Sequence, residues 1–267
     1  MTSSGFSSES CLEIWRLLDV EFEDPYMNIA VEESVARNVG EGTVESTIRF
    51  WRNLDAVVIG CNQDAEAEVN SEQCAKLGTR IVRRFTGGGA VYHDGGNLNF
   101  SISVPKSHRL VEDDLLGTYQ VFSLAVIGGL KLLGLEDAKW EDGNNVFLNG
   151  SKLSGLAACL RWGAFFCHGS ILVSSDVSRV SNILHSTHSG GERYTRSVVR
   201  PITTLSDQIG RAVSIAEVKI ALKKGFEEAF SIMLTDGEFS PEEWSVTNEV
   251  YREKYSTQEW NLRGREN

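Results

Sequence analysis

Cysteine is scarce and unpatterned in this 267-residue chain: Cys11, Cys61, Cys74, Cys159 and Cys167 are odd in number, and none form a C-x-x-C pair. That excludes a disulfide framework or a cysteine zinc site as the organising device and fits a reduced, cytoplasmic setting. Basic residues are also short, 26 Lys+Arg against 37 Asp+Glu, for a net charge of −11. A surface of that sign argues against general nucleic-acid or anionic-membrane binding. The longest apolar segment, around Phe122 to Leu135, is interrupted by Gly128, Gly129 and Lys131 and reads as too short to span a membrane. Residues 1–10 hold neither a basic n-region nor an apolar h-region, so they read as a short disordered tail rather than a secretory signal. Internal repeats, low-complexity tracts and Pro-, Gly- or Ser-rich linkers are missing, which leaves residues 11–267 as one domain. The rest is ordinary for a soluble protein, 41% hydrophobic and 24% charged, and the length supports a core without disulfides.

One stretch stands out, Arg83-Arg84-Phe85-Thr86-Gly87-Gly88-Gly89-Ala90-Val91-Tyr92-His93-Asp94. It lies between an apolar run, Arg80 to Val82, and an alternating run, Leu98 to Val104, and so reads as strand, glycine-rich turn, strand. Glycines without a Cβ reach positive φ and let backbone N–H groups approach a ligand. Such N–H groups cradle a phosphate, and arginines beside them neutralise it. The plain alternative is a tight hairpin with solvated arginines. No G-K-[ST] follows, so this is not a Walker A loop, and it is not a G-x-G-x-x-G fingerprint. In a chain this acidic a phosphate site must be a local basic pocket, for which Arg83, Arg84 and Lys152 are the candidates.

Around this stretch the pattern predicts mixed α and β structure. Leu12 to Val20 reads as a strand, and Asp24-Pro25 as the N-cap and first residue of a helix ended by Gly40. Thr47–Trp51 and Ala56–Ile59 read as strands joined by a turn, and Glu66–Leu77 as a short helix. Val111–Leu133 reads as an amphipathic helix. A strand pair follows, carrying Asn145-Val146-Phe147-Leu148-Asn149-Gly150-Ser151-Lys152-Leu153-Ser154-Gly155, then a strand over Phe165–Val173 and a helix near Val177–Leu184. Polar residues 185–196 read as a mobile loop, either a lid or an uninvolved surface loop. The C-terminal part reads as helical, with a capping box at Ser214/Glu217, one apolar face from Val218 to Met233, a second start at Ser240-Pro241, and a last turn opened by Ser256.

The Arg-Arg-x-x-Gly-Gly-Gly…His-Asp order, followed by Gly150-Ser151-Lys152-Leu153-Ser154-Gly155, resembles the two signature blocks of the lipoate–protein ligase A family, in the superfamily shared with biotin–protein ligases. The resemblance runs from Leu12 to Asn261, close to the short archaeal-type catalytic domain. It implies an α+β fold with a central mixed, largely antiparallel sheet flanked by helices. It also implies activation of lipoate by ATP with Mg2+ to lipoyl-AMP, then transfer to a lysine of a lipoyl-domain protein. The acceptors implied are 2-oxoacid dehydrogenase E2 subunits and the glycine cleavage H protein.

By the same resemblance Lys152 is the catalytic residue, bridging the acyl carbonyl and the α-phosphate. Arg84, Gly87, Gly88, Gly89, Ala90, Val91, Tyr92, Asn145 and Lys152 would bind ATP or the adenylate. Arg84, His93, Lys152, Ala157 and His168 would bind lipoate. His93 and Asp94 also read as orienting the loop, and His168 equally as a satisfied core histidine. Phe50 and Trp51 read as core aromatics near the start of the acyl pocket. Arg196-Ser197-Val198 resembles a later family element.

Two departures matter. Relatives carry Asn-Asp where this chain has Asn144-Asn145; an amide brings no charge, so Asn145 is a weak metal ligand, and Asp142 or Glu141 could compensate. The additional C-terminal domain of many relatives is not matched here, which points to a separate small accessory subunit. Two alternatives stay open: an octanoyl or lipoyl transferase using a cysteine thioester, with Cys159 and Cys167 nearest to Lys152 in sequence, and a non-catalytic acyl- or adenylate-binding module.

Overall fold

The computed structural model describes residues 12–185 and 195–264; the predicted tail, and the predicted loop apart from residues 185, 195 and 196, lie outside the described residues. In chain order the elements are β1 (Glu13–Asp19), α1 (Pro25–Glu41), β2 (Thr47–Trp51), β3 (Asp55–Ile59), α2 (Ala65–Glu68), α3 (Ser71–Leu77), β4 (Arg80–Arg83), β5 (Val91–Asp94) and β6 (Asn97–Pro105). Then come α4 (Leu115–Leu132), β7 (Lys139–Glu141), β8 (Asn145–Leu148), β9 (Ser151–Arg161), β10 (Ala164–Leu172), α5 (Val177–Ile183), α6 (Leu205–Ile209), α7 (Ile215–Phe230), β11 (Ile232–Asp236) and α8 (Pro241–Val250). Two π-helical turns follow, Tyr251–Tyr255 and Glu259–Arg263.

The larger sheet has eight strands in the order β11-β1-β2-β6-β10-β9-β8-β7. Its β11–β1 and β1–β2 pairs are parallel and the other neighbours antiparallel, which is the α+β, largely antiparallel class expected. Alternate side chains of each strand go to opposite faces. Phe50, Phe100, Phe165 and Cys167 therefore pack with Phe122 of α4 and Phe226 of α7. Trp51 and Phe166 face the other way, toward Ile29 and Ala30 of α1. A second sheet, β4-β3-β5, shares that α1-side core through Ala56, Val58 and Val82.

Several expectations are corrected. The strands before and after Arg52 do not pair; the turn hands the chain from the large sheet to the small one. Helix α1 ends at Gly42, in the left-handed region at φ 75°, not at Gly40. Gly40 is instead where α1 crosses the β9–β10 hairpin, and a Cβ there would lie 2.0 Å from the Trp162 carbonyl oxygen. The Glu66–Leu77 helix is two, because Asn70 caps a new start at Gln73 N (3.0 Å). Met233 belongs to β11, since Ser231 takes φ 52° and stops α7. Ser214 caps α7, but the Glu217 carboxylate pairs with Arg211 instead of closing the box; the complete box is at Ser240/Glu243. Thr257 rather than Ser256 caps the last turn, at Trp260 N. Helix α4, 18 residues with mean hydropathy 1.4, is long and apolar enough to cross a membrane by length and composition, contrary to the expectation. It is half buried, with Phe122, Ala125, Val126 and Leu130 in the main core, as a core helix is.

A buried ion pair ties the sheet to the C-terminal helices. Arg16 on β1 meets both carboxylate oxygens of Glu243, at 2.8 and 2.5 Å, and Glu243 has no solvent exposure. Removing one partner strands the other charge. Glu243→Ala is expected to cost about 3–5 kcal/mol in urea denaturation. A loss under about 1 kcal/mol would show the pair to be as dispensable as an exposed one.

Candidate active site

Between α1, the small sheet and the far strands of the large sheet lies a cavity of about 330 Å³. One end is apolar, walled by Ile29, Trp51 and Val58, all at 2% exposure or less. The other is polar, walled by Asp142, Asn144, Asn145, Lys152, Arg196 and Arg200. Gly88, Gly89, Ala90 and Val91 form one side, and Gly155, Ala157 and His168 another.

Lys152 reaches the cavity because the β8–β9 ladder slips by one residue there: Val146 pairs with Ser154 but Phe147 with Lys152. Such a bulge re-aims a side chain. The ammonium then lies across Gly155, where a Cβ would come within 2.6 Å of Nζ, so glycine keeps the path open. The backbone of Lys152 is pinned by Pro201 O (2.8 Å) and Thr203 N (3.2 Å). Nζ itself makes no hydrogen bond or ion pair among the described residues. Burial, aided by the charges of Arg84 and Arg200, lowers its pKa to about 8.

The two adjacent arginines part company. Arg84 lines the cavity; Arg83 does not. Arg83 donates to Trp260 O (2.8 Å), Gly60 O (3.0 Å), Gln63 O (2.6 Å) and Leu262 O (3.1 Å), clamping the C-terminal turn to the loop after β3. Its place in the basic pocket is corrected accordingly: a strand's alternation sends neighbours to opposite sides. The Arg84 guanidinium donates to Val58 O (3.1 Å), Gly87 O (2.6 Å), Gly89 O (2.8 Å) and Thr86 Oγ1 (3.1 Å). Its charge faces the cavity while these N–H groups hold the loop. Of the three loop glycines only Gly88 has positive φ, at 86°.

Of the remaining predicted residues, Gly87 does not wall the cavity, its carbonyl being turned to Arg84. Tyr92 does not either. It lies between Val91 and His93 on β5, so it faces the opposite cluster with Val57 and Ile59, and its hydroxyl accepts from Arg179 (3.1 Å). His93 lines the cavity, buried, with burial chiefly lowering its pKa to about 3, so the ring is neutral. Asn145 and Asp142 are both at the polar end, Asp142 paired with Arg200 (3.0 Å), while Glu141 is outside it. No cluster of three or more His, Cys, Asp or Glu suited to a metal occurs among the described residues.

Sequence reasoning placed Ser197 in a family-like element without giving it a role, and passed over Glu32. Ser197 Oγ accepts from Ala90 N (2.8 Å) and Gln63 Nε2 (3.1 Å), so it staples residues 195–200 to the glycine loop. Glu32, fully buried on α1, accepts from Trp51 Nε1 (3.0 Å) and from His168 Nδ1 (2.8 Å). The signal available was a pair of acidic residues, Glu32-Glu33, on the buried face of an apolar helix.

An apolar slot leading to a cationic chamber beside a glycine loop suits a ligand with an apolar tail and an anionic head, as an acyl-group enzyme takes. Residues 24–227 match the lipoyl protein ligase A/B catalytic domain model, and the chain belongs to that family. It is 33% identical over 247 residues to lipoate-protein ligase A subunit 1 of Thermoplasma acidophilum, covering 88% of this chain and 91% of that one. It is 31% identical over 276 residues to octanoyltransferase LipM of Brevibacillus brevis, covering 94% and 100%. Among solved structures, a lipoate-protein ligase A bound with ATP superposes with TM-score 0.81 at 33% identity, covering 92% of this chain and 98% of that one. A putative T. acidophilum lipoate protein ligase with bound lipoic acid gives 0.80 at 32%, with the same coverage. A bi-partite lipoate protein ligase of the same organism, studied with its E2 lipoyl domain, gives 0.80 at 31%, covering 94% and 97%.

Lys152 supplies a pH test. Its ammonium is charged below pH 8 and neutral above it, so a phosphate-bearing ligand loses its partner as pH rises. Pyrophosphate or ATP affinity, measured by calorimetry, is expected to fall by up to about tenfold per pH unit above 8, and Lys152→Ala to flatten the profile.

Proposed function

We propose that this chain is an ATP-dependent, AMP-forming lipoate–protein ligase acting with a separate accessory subunit. The observation that carries the reading is the half-buried Lys152 ammonium, unpaired among the described residues and set at the polar end of the cavity beyond the apolar slot. Joining a carboxylate to ATP brings two anions together, and fixed positive charge with backbone N–H groups offsets their repulsion. The lipoyl tail would occupy the slot by Trp51 and Ile29, flanked by Ala157, His168 and His93. Its carboxylate, and the α-phosphate, would meet Lys152. Gly88, Gly89, Ala90 and Val91 would line the nucleotide.

The carboxylate oxygen attacks the α-phosphorus, the bond to the β-phosphate breaks, and pyrophosphate leaves. The neutral amine of an acceptor lysine then attacks the acyl carbonyl, AMP departs, and the amide nitrogen loses its proton. Lys152 stabilises charge on the α-phosphate in both steps. Mg2+ would be held, beside water and phosphate oxygens, by the side-chain oxygens of Asp142 and Asn145 at the polar end, and would neutralise charge on the leaving pyrophosphate. The accessory subunit and an E2 lipoyl domain as acceptor are supported by the bi-partite neighbour and its E2 domain; an H protein is the second acceptor proposed.

Octanoyl transfer through a cysteine thioester is the second reading, favoured by the full-length similarity to LipM. Against it, none of the described cysteines walls the cavity. Burial raises the Cys159 thiol to about 12 and Cys167 further, so neither is a thiolate at neutral pH.

The test is pyrophosphate release with lipoate, ATP and Mg2+, with and without an accessory subunit. Release abolished by Lys152→Ala, at least about 100-fold, is expected. Absence of release under both conditions, together with a covalent octanoyl-cysteine adduct from octanoylated carrier protein, would overturn the reading in favour of the transferase.

A further inference from the structure

The glycine loop is shaped from behind by a chain of hydrogen bonds that begins at Glu32. The Glu32 carboxylate receives Trp51 Nε1–H on Oε1 (3.0 Å) and His168 on Oε2 (2.8 Å). A carboxylate only accepts, so His168 Nδ1 carries a proton. The Thr86 hydroxyl lies 2.7 Å from Nε2 of the same ring. Thr86 Oγ1 also accepts from Arg84 Nε (3.1 Å). The contacts run unbroken from Glu32 outward to Arg84.

Arg84 in turn sets the loop's polarity. A trans peptide points its C=O and N–H in opposite directions. Because Gly87 O (2.6 Å) and Gly89 O (2.8 Å) face the guanidinium, the N–H groups of Gly88 and Ala90 face away from it. Ala90 N–H is taken by Ser197 Oγ, while Gly88 and Gly89 N–H donate to no atom among the described residues, and both residues wall the cavity. We propose that Glu32 is a positioning residue: acting through His168 and Thr86 it fixes Arg84, and Arg84 turns the Gly87 and Gly89 carbonyls inward so that Gly88 offers its N–H group to a phosphate. This rests on the ligase reading above, and it makes Arg84 a shaper of the loop rather than a direct clamp on the ligand.

The experiment is calorimetric ATP binding beside thermal unfolding, in the whole chain together with its accessory subunit where pyrophosphate release requires one. In Glu32→Gln the amide satisfies Trp51 or His168 but not both as an acceptor, so the order of donors breaks. Thr86→Val deletes the relay's hydroxyl at nearly constant shape, and Thr86→Ser keeps it. Glu32→Gln and Thr86→Val are each expected to raise the ATP Kd about tenfold, equivalent to about 1.4 kcal/mol. Thr86→Ser is expected to return it to within about twofold of the starting protein. Wild-type ATP affinity in folded Glu32→Gln and Thr86→Val, or equal impairment of Thr86→Ser and Thr86→Val, overturns the relay while leaving the ligase reading intact. A starting protein that binds no ATP in either state overturns both.

Discussion

A carboxylate that water does not reach is stable only if the protein supplies its solvation, and Glu32 is such a group. Its partners come from β2 and β10, so α1 cannot slide on the sheet without leaving a charge unpaired. Glu33, next along the helix, points to another side and is served by Lys254 (3.1 Å), Tyr255 and Arg37. Two successive buried acids thus fasten one helix to the floor of the cavity and to the C-terminal turns. The depth of the slot, set by Ile29 and Trp51, follows from where α1 is held.

The interior reverses the sign of the surface. The chain carries an excess of 11 negative charges, yet Arg84, Lys152 and Arg200 converge on one chamber. Keeping them there costs solvation, visible in the depressed pKa of both Arg84 and Lys152, to about 10 and about 8, with burial the main cause. Arg84 recovers that cost through carbonyls of its own loop. Lys152 has no such partner among the described residues, and an unpaired cation is what a phosphate stabilises most.

The site was legible where its residues are contiguous and hidden where folding assembles them. The glycine loop and the Lys152 block each form an unbroken string, and both reach the cavity. Arg83 and Tyr92 sit inside those strings but alternate away from it, which strand periodicity already implied. Ser197 lies 107 residues from Ala90, which it steadies, and Glu32 reaches the loop only through His168, 136 residues away, so neither role can be read from neighbouring residues alone. The fold was legible in class, because strands and helices announce themselves by period. It was less so in its joints. β11 hides in what continues a helical face as far as Met233, and the split between β2 and β3 depends on which strands each finds, not on the turn at Arg52.

The two ends of the cavity are built from different parts of the chain: the slot from α1, β2 and β3, the cationic chamber from the β8–β9 hairpin and residues 195–200. Few side chains serve both. A lineage could therefore exchange the way an acyl group is energised, by nucleotide or by a carrier's thioester, with the tail receptor left untouched. Relatives bearing ligase and transferase names on a common scaffold are what such a division of labour would leave behind.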